Sequence, residues 1–300
     1  MASPAPGPLH VLMNAAAGSG AAAAEKLAGQ LRDAGVAAVV EPIDPARLPE
    51  RIRELGSLDR LGVAGGDGTI RTAAELLRGS ATVLVPFPTG TLNHFARRLG
   101  IADAAQAGAA AAGGGSRPTS MGVLRDGREY AFLNTAVVGA YPDVIRLRER
   151  LRPVLGKWPA GFVAGVIMWV RWPCFDLTIR TEDRELRRHT PMIWIGTGPG
   201  TFPAPHEAPL AGRGDGLELV LLPPGGRRHG VRLFRSLWAR RRGRGPETVG
   251  LEVLRATEVE IDSRHHHLHL TLDAEPIVVK PPVRITLEEG SLQVAVSSAS

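Results

Sequence analysis

Three times in its first hundred residues this chain runs from a short apolar stretch through a small-residue turn into a helical pattern. That repeated junction restricts the fold more than any other feature. The clearest case spans Leu61 to Leu77: an apolar run, the turn Gly65-Gly66-Asp67-Gly68-Thr69, then helical spacing. A second, Val85 to Gly100, turns through Pro88, Thr89, Gly90, Thr91, Leu92 and Asn93. The earliest runs from Leu9 to Met13, ends at Asn14 and turns through Ala15 to Gly20. The pattern predicts further strands at Val36–Val40, Arg60–Ala64 and Thr82–Pro86. Helices are predicted through Leu27 to Ala34 with Gly35 as the stop, and over Leu48–Leu55, Ile70–Leu77 and Leu92–Leu99. Strand and helix in alternation indicate a mostly parallel sheet with helices on its faces.

Past the small-residue segment Ala102 to Pro118 the texture changes. Short β-like runs follow at Met121–Leu124, Tyr130–Val138, Phe175–Arg180, Met192–Thr197, Leu217–Leu222, Val253–Ile261, His267–Leu272, Ile277–Val279 and Val283–Leu287. Their density predicts a second domain of sandwich or barrel type. Helical stretches interrupt it at Asp143–Leu155, Ala160–Val170 and His229–Arg241. At 300 residues two cores are the better expectation, with the boundary near residue 120.

Composition narrows the function classes. The formal charge of +6 favours anionic partners, and arginine dominates it, lysine standing only at Lys26, Lys157 and Lys280. The single Cys174 excludes an internal disulfide, fits a reducing compartment and reads as a structural thiol in an apolar stretch. Met1 to Pro8 lacks the basic start of a secretory signal and reads as a frayed leader. The longest apolar run, Gly161 to Val170, is half of what a bilayer-spanning helix needs, so membrane contact is expected to be peripheral.

The glycine turn carries the chemistry. Without Cβ atoms the backbone can approach a bound group closely, and the first N–H groups of the following helix point at it, which suits a phosphate. Asp67 can hold magnesium directly or through water; Thr69 can cap the helix and donate to a phosphate oxygen. A tight strand-to-helix turn with an ordinary aspartate is the plainer reading of this loop alone. Three such loops at the carboxyl ends of parallel strands, however, converge on one crevice.

Together these loops resemble the diacylglycerol kinase catalytic family, which shares a superfamily with NAD kinases and sphingosine kinases. The matching segments are Asn14 to Gly18, Gly65 to Thr69, and Pro88 to Gly100. Phe132-Leu133-Asn134 with Gly139, then Gly196 to Gly200, Ala208 to Leu210, Gly214 to Leu219, and Leu272-Asp273-Ala274-Glu275 extend the resemblance along nearly the whole chain. It implies a Rossmann-like parallel α/β domain over residues 1–120 and a β-sandwich-like lipid-substrate domain over 121–300, with a cleft between them and the last strand returning to the first domain. The implied activity is ATP- and magnesium-dependent phosphorylation of diacylglycerol or a related lipid alcohol. Asn14, Gly65, Gly66, Gly68, Thr69, Thr91 and Asn93 match nucleotide-binding positions. Asp67 matches the organiser of the magnesium–ATP network, and Glu275 the general base. Gly212, Asp215 and Leu217 match a structural metal site.

Two family acids are replaced, by His94 and by Ser120, and Ala274 stands for a glycine. These departures motivate an alternative, a catalytically impaired nucleotide- or lipid-binding member. An NAD-kinase-like soluble kinase is the other alternative, since the glycine turn is shared. The implied partners are ATP, a lipid alcohol and an anionic membrane, with a homodimer allowed and no nucleic acid; the implied location is cytoplasmic with peripheral membrane association. The eight arginines between Arg227 and Arg244, with Phe234, Leu237 and Trp238, read either as an interfacial helix or as a solvated core helix. Trp158, Phe162, Trp169 and Trp172 pose the same choice, and core packing is the simpler answer. His265, His267 and His269 alternate as solvent-facing strand residues rather than at zinc-ligand spacing.

Overall fold

The computed structural model describes residues 7–15, 20–113, 115–171, 173–198, 216–224 and 251–296. The chain divides into two compact units, Met1–Met121 with Glu289–Ser300, and Gly122–Glu288. In the first unit, strands β1 (Leu9–Asn14), β2 (Ala38–Ile43), β3 (Arg60–Gly65) and β4 (Val83–Pro88) alternate with helices α1 (Ala21–Asp33), α2 (Leu48–Leu55) and α3 (Asp67–Leu77). Two further helices follow, α4 (His94–Arg98) and α5 (Ala104–Ala112).

The strands pair in parallel in the order β2-β1-β3-β4. Leu61 to Gly65 of β3 and Leu84 to Phe87 of β4 are buried at every position, as parallel strands with both faces covered must be. The helices supply those covers: α1 packs on β2, α3 on β3 and β4, and α5 on β4. In α1 the residues turned inward are Ala24, Leu27 and Leu31, an i, i+3, i+7 stripe.

The second unit is a sandwich of two antiparallel sheets. Its elements are β5 (Ser116–Arg125, entering at Gly122), β6 (Glu129–Phe132), β7 (Thr135–Gly139), α6 (Tyr141–Leu155), α7 (Lys157–Arg171), β8 (Phe175–Thr181), β9 (Glu185–Thr190), β10 (Met192–Gly196) and β11 (Leu217–Leu221). They continue as β12 (Glu252–Ala256), β13 (Glu258–Ser263), β14 (Leu268–Leu272), β15 (Glu275–Val279) and β16 (Val283–Ala295). One sheet runs β12-β11-β10-β7-β14-β15. The other holds β9, β8, β13 and the first half of β16, with β5 beside β16 and β6 beside β5. Leu177, Ile179, Val259 and Ile261 from one sheet meet Ile193, Ile195, Leu219 and Leu270 from the other in a single core. The second half of β16 belongs to the first unit, where Gln293 and Val294 pair in parallel with Val83 and Leu84.

Two continuous β-runs of the sequence are each two strands. Tyr130–Val138 breaks at Leu133-Asn134, so that β6 lies in one sheet and β7 in the other. The N–H groups of Leu133, Asn134 and Thr135 leave the ladder and donate to the carboxylate of Asp273 at 2.7, 2.8 and 2.9 Å. Val253–Ile261 breaks at Thr257 in the same manner. There the N–H groups of Thr257 and Glu258 each donate to Oε1 of Glu182 at 2.7 Å, and the Thr257 hydroxyl bonds the same oxygen. Backbone groups that leave a ladder need another partner, and a carboxylate is the strongest acceptor a side chain offers. Helix α3 also begins earlier than the periodicity predicts, at Asp67 rather than Ile70. Trp158 and Phe162 are exposed rather than packed in the core; Trp172, the side chain of Trp169 and the segment Arg227–Arg244 lie outside the described residues.

Partial burial raises the pKa of Glu182, but the bonds from Thr257 and the backbone outweigh it and hold the carboxyl below its usual range. A depressed carboxylate contributes stability above its unfolded pKa, and that contribution is lost as pH falls through the folded value. Glu182→Gln is therefore expected to cost about 1 kcal/mol at neutral pH, a figure already discounted for solvent exposure. Urea titrations should show the difference between variant and parent shrinking below about pH 4.3.

Candidate functional site

Asn14, Gly65 and Pro88 end strands β1, β3 and β4, and the register places them along one edge of the parallel sheet: Met13 lies beside Ala64, and Gly65 beside Pro88. The turns that follow are therefore neighbours, and specific bonds join them. Thr89 N–H donates to the Gly65 carbonyl at 3.1 Å. Asn14 Nδ2 donates to Thr69 Oγ1 at 3.0 Å across 55 residues of chain. Phe95 N–H, in the first turn of α4, donates to Asp67 Oδ1 at 3.1 Å.

The second turn is closed on itself. Asn93, 6% exposed, accepts the Gly90 N–H through Oδ1 at 3.0 Å and returns Nδ2 to the Gly90 carbonyl at 2.8 Å. It sits at φ 51°, ψ 44°, a left-handed conformation that asparagine tolerates better than most residues. Against it lies the glycine turn. A Cβ on Gly90 would stand 2.5 Å from the Gly66 Cα, and one on Gly65 would stand 2.5 Å from the Thr69 Cβ. Only glycine permits this approach.

Helix α3 has no side-chain cap; Gly66 is its N-cap, and Thr69, predicted as a cap, lies within the first turn. Its first internal bond runs from Ile70 N–H to the Gly66 carbonyl at 3.1 Å, so the N–H groups of Asp67, Gly68 and Thr69 precede the helical ladder. Together with the Thr69 hydroxyl proton they form a cluster of donors at the positive end of a helix of 11 residues. Asp67 Oδ1 is engaged by Phe95, and Oδ2 has no hydrogen-bond partner among the described residues. One available carboxylate oxygen beside phosphate donors fits magnesium, which is commonly bound through one or two carboxylates with substrate phosphates and water.

The remaining predicted residues lie as follows. Thr91 is exposed on the second turn, and His94 is exposed at the start of α4. Ser120, on β5, accepts the Gly290 N–H through Oγ at 3.3 Å. In the second unit, Glu275 is exposed and opens β15, paired with Leu272 across the tight turn at Asp273 (φ 48°) and Ala274 (φ 70°). Leu217 opens β11 with its side chain in the sandwich core; Gly212, Asp215, Gly18 and Ala208 to Leu210 lie outside the described residues. His265 and His267 are exposed, and His269 Nδ1 lies 3.6 Å from Asp143 Oδ1. Burial, then the charge of Asp176, pushes the Cys174 thiol above its usual pKa, which disfavours the nucleophilic thiolate.

In the sequence Asp273 stands out only as part of the Leu272 to Glu275 motif. Its carboxylate holds the Leu133–Thr135 corner, its own N–H donates to the Thr135 carbonyl at 2.8 Å, and Thr197 Oγ1 donates to the Leu133 carbonyl at 2.7 Å. The turn that carries Glu275 is thereby fixed to the start of β7. The available signal was an Asp opening a turn at which Asp273 and Ala274 take positive φ, a conformation that favours glycine.

Comparison with known proteins places the first unit. Residues 8–124 match the diacylglycerol kinase catalytic domain. The fold extends beyond that domain. A structure of a diacylglycerol kinase from Bacillus anthracis str. Sterne superposes with a TM-score of 0.72 at 18% identity, covering 99% of each chain. A further structure from the same organism gives 0.74 at 18% identity, again over 99% of each chain. An NAD kinase from Archaeoglobus fulgidus in complex with ATP gives 0.53 at 12% identity, covering 96% of this chain and 93% of its own. At these identities the structures show a shared fold, and the similarity to the diacylglycerol kinase catalytic domain extends over residues 8–124 of the 300. The three joined turns, from Asn14 to Asn93, all lie inside the matched segment.

Gly90→Ala is expected to force the second turn away from Gly66 and to cost about 1–3 kcal/mol, read as a lower urea midpoint. Asp273→Asn turns an amide N–H₂ toward backbone donors. It should cost about 2–3 kcal/mol by the same measurement.

Proposed function

We propose that this chain is an ATP- and magnesium-dependent kinase that phosphorylates the hydroxyl of diacylglycerol or a related lipid alcohol. The observation that carries the reading is the joining of three strand-end turns by the bonds Asn14–Thr69, Thr89–Gly65 and Asp67–Phe95, inside the segment that matches a diacylglycerol kinase catalytic domain. Phosphoryl transfer asks a protein chiefly for positioning and for neutralisation of charge. The N–H groups of Gly68 and Thr69 and the hydroxyls of Thr69 and Thr91 would hold phosphate oxygens, and the packing of Gly66 on Gly90 keeps the two turns in a fixed relation. Magnesium, when bound with the nucleotide, supplies charge neutralisation at the phosphates, and Asp67 Oδ2 would be its protein ligand.

Glu275 is the proposed general base. It accepts the proton of the lipid hydroxyl as that oxygen bonds to the γ-phosphorus and the bond to the ADP oxygen breaks. The Asp273 bonds that fix its turn give it the rigid support a base requires. Proposed further are the structural metal site of Gly212, Asp215 and Leu217 and contact with an anionic membrane, both on the family resemblance.

A second reading, a member that binds nucleotide without turnover, is supported by Ser120 and His94. Ser120 serves as a backbone acceptor for Gly290 rather than as an acid, and His94 is exposed. Labelled ATP binding without transfer to any lipid, reversed by Ser120→Asp with His94→Asp, would favour it.

The test is incubation of purified protein with Mg-ATP labelled at the γ-phosphate, mixed bacterial lipids and NAD, followed by chromatography. A labelled phospholipid is expected; label on NAD instead, or on nothing, would remove the lipid-kinase reading. Asp67→Asn and Glu275→Gln should each lower turnover by about 10²-fold or more. A near-normal rate in either variant would take that residue out of its role.

A further inference from the structure

Helices α6 and α7 form a hairpin joined at Gly156, and the outer helix is seated the wrong way round for a core element. Its fully buried residues are small, Ala160 and Ala164, and a Cβ on Gly161 would come only within 3.7 Å of Arg148. These positions let α7 lie close on α6, which in turn packs on β7, β14 and β15. The large side chains point the other way. Trp158 is 83% exposed and Phe162 73%, and Val166 and Val170 continue the same row at intervals of four residues. Val154, 84% exposed, and Leu155 extend the apolar surface across the turn.

Four-residue spacing puts those α7 side chains on one face, and the helix carries no charged residue between Lys157 and Arg171. Monomeric soluble proteins rarely leave so many contiguous large apolar side chains in water. The rim is cationic. Residues 141–171 hold six basic residues against two acids. Arg148 and Arg152 share the one Glu149, while Arg150 and Arg171 are exposed with no ion pair among the described residues.

We infer that the exposed face of α7, with the tip of its hairpin, is the surface by which this chain docks on an anionic lipid bilayer. Apolar residues enter the boundary between headgroups and chains, and the arginines meet anionic headgroups. The helix, 15 residues and about 22 Å long, is too short to cross a bilayer and suited to lying in its surface. No helix among the described residues is long and apolar enough to cross a membrane. A second copy of the chain is a poorer occupant, because a two-fold pairing of this face would set its arginines against their own symmetry mates. The choice of a bilayer rests on the lipid-kinase reading, whose acceptor is dissolved in one.

The test uses the full chain and vesicles of phosphatidylcholine with or without about half phosphatidylglycerol, at low and high salt. Cosedimentation should show binding that requires the anionic lipid and weakens with salt. Trp158→Ala with Phe162→Ala should lower the partition coefficient about tenfold or more at an unchanged melting temperature. Arg150→Glu, which removes no packing, should weaken binding to the anionic vesicles alone, and it carries the test if the double variant is destabilised. Both variants should keep their rate on lipid dispersed in detergent micelles. Vesicle binding that follows this pattern in a protein that phosphorylates no lipid would sink the kinase reading and keep the docking surface. Wild-type binding retained by both variants would overturn the docking surface, as would a dimer that the double variant dissociates without any vesicle binding.

Discussion

The backbones of Gly66 and Gly90 approach so closely that a single methyl group on Gly90 would stand 2.5 Å from its neighbour's Cα. The arrangement of the turns along the carboxyl edge of the first unit's sheet depends on that approach. It sets the turn after β4 against the turn after β3, and the bond from Thr89 to Gly65 and the bond from Phe95 to Asp67 follow from it. Asn93 closes its own turn in a left-handed conformation, with both ends of its amide bonded to Gly90. The two carboxylate oxygens of Asp67 consequently differ. One oxygen holds α4, and the other has no described partner.

The second unit relies on a different device. A sandwich built from strands that change sheets must satisfy the backbone groups released at each corner, because buried unpaired N–H groups are costly. Asp273 does this for Leu133 to Thr135, and Glu182 for Thr257 and Glu258. The Asp273 bonds also couple architecture to proposed chemistry, since the turn that Asp273 opens carries Glu275 two residues on. A change at Asp273 acts on Glu275 through the turn, not through contact with a reacting group.

Where a local period decides an element, the sequence is a good guide. Helix α2 falls on Leu48–Leu55 as read, and β3 and β4 are recognisable because both of their faces are buried. The three turns could be expected to meet because all of them end parallel strands. What stayed hidden depends on distant residues. Asp273 lies 139 residues from Asn134, and Glu182 75 residues from Thr257, so no local pattern announced the corners. Strand β9, Glu185–Thr190, was missed because its alternation runs through charged residues at a sheet edge, with Leu186 its single hydrophobic residue packed on the core and Thr190 buried at its end. The face of α7 was legible as a stripe, but a period tells which residues share a face and not which face meets protein. The small residues Ala160 and Ala164 decided that, against the larger ones.

The turns at Gly65–Thr69 and Pro88–Asn93 are proposed to hold the phosphates of a nucleotide together. Amide hydrogen exchange with and without Mg-ATP reads both turns at once. Slowed exchange is expected at Gly66 to Thr69 and at Thr89 to Phe95 when nucleotide is bound, with little change in the strands of the sandwich core. Saturating nucleotide that protects other segments and leaves both turns exchanging as before would contradict the proposal.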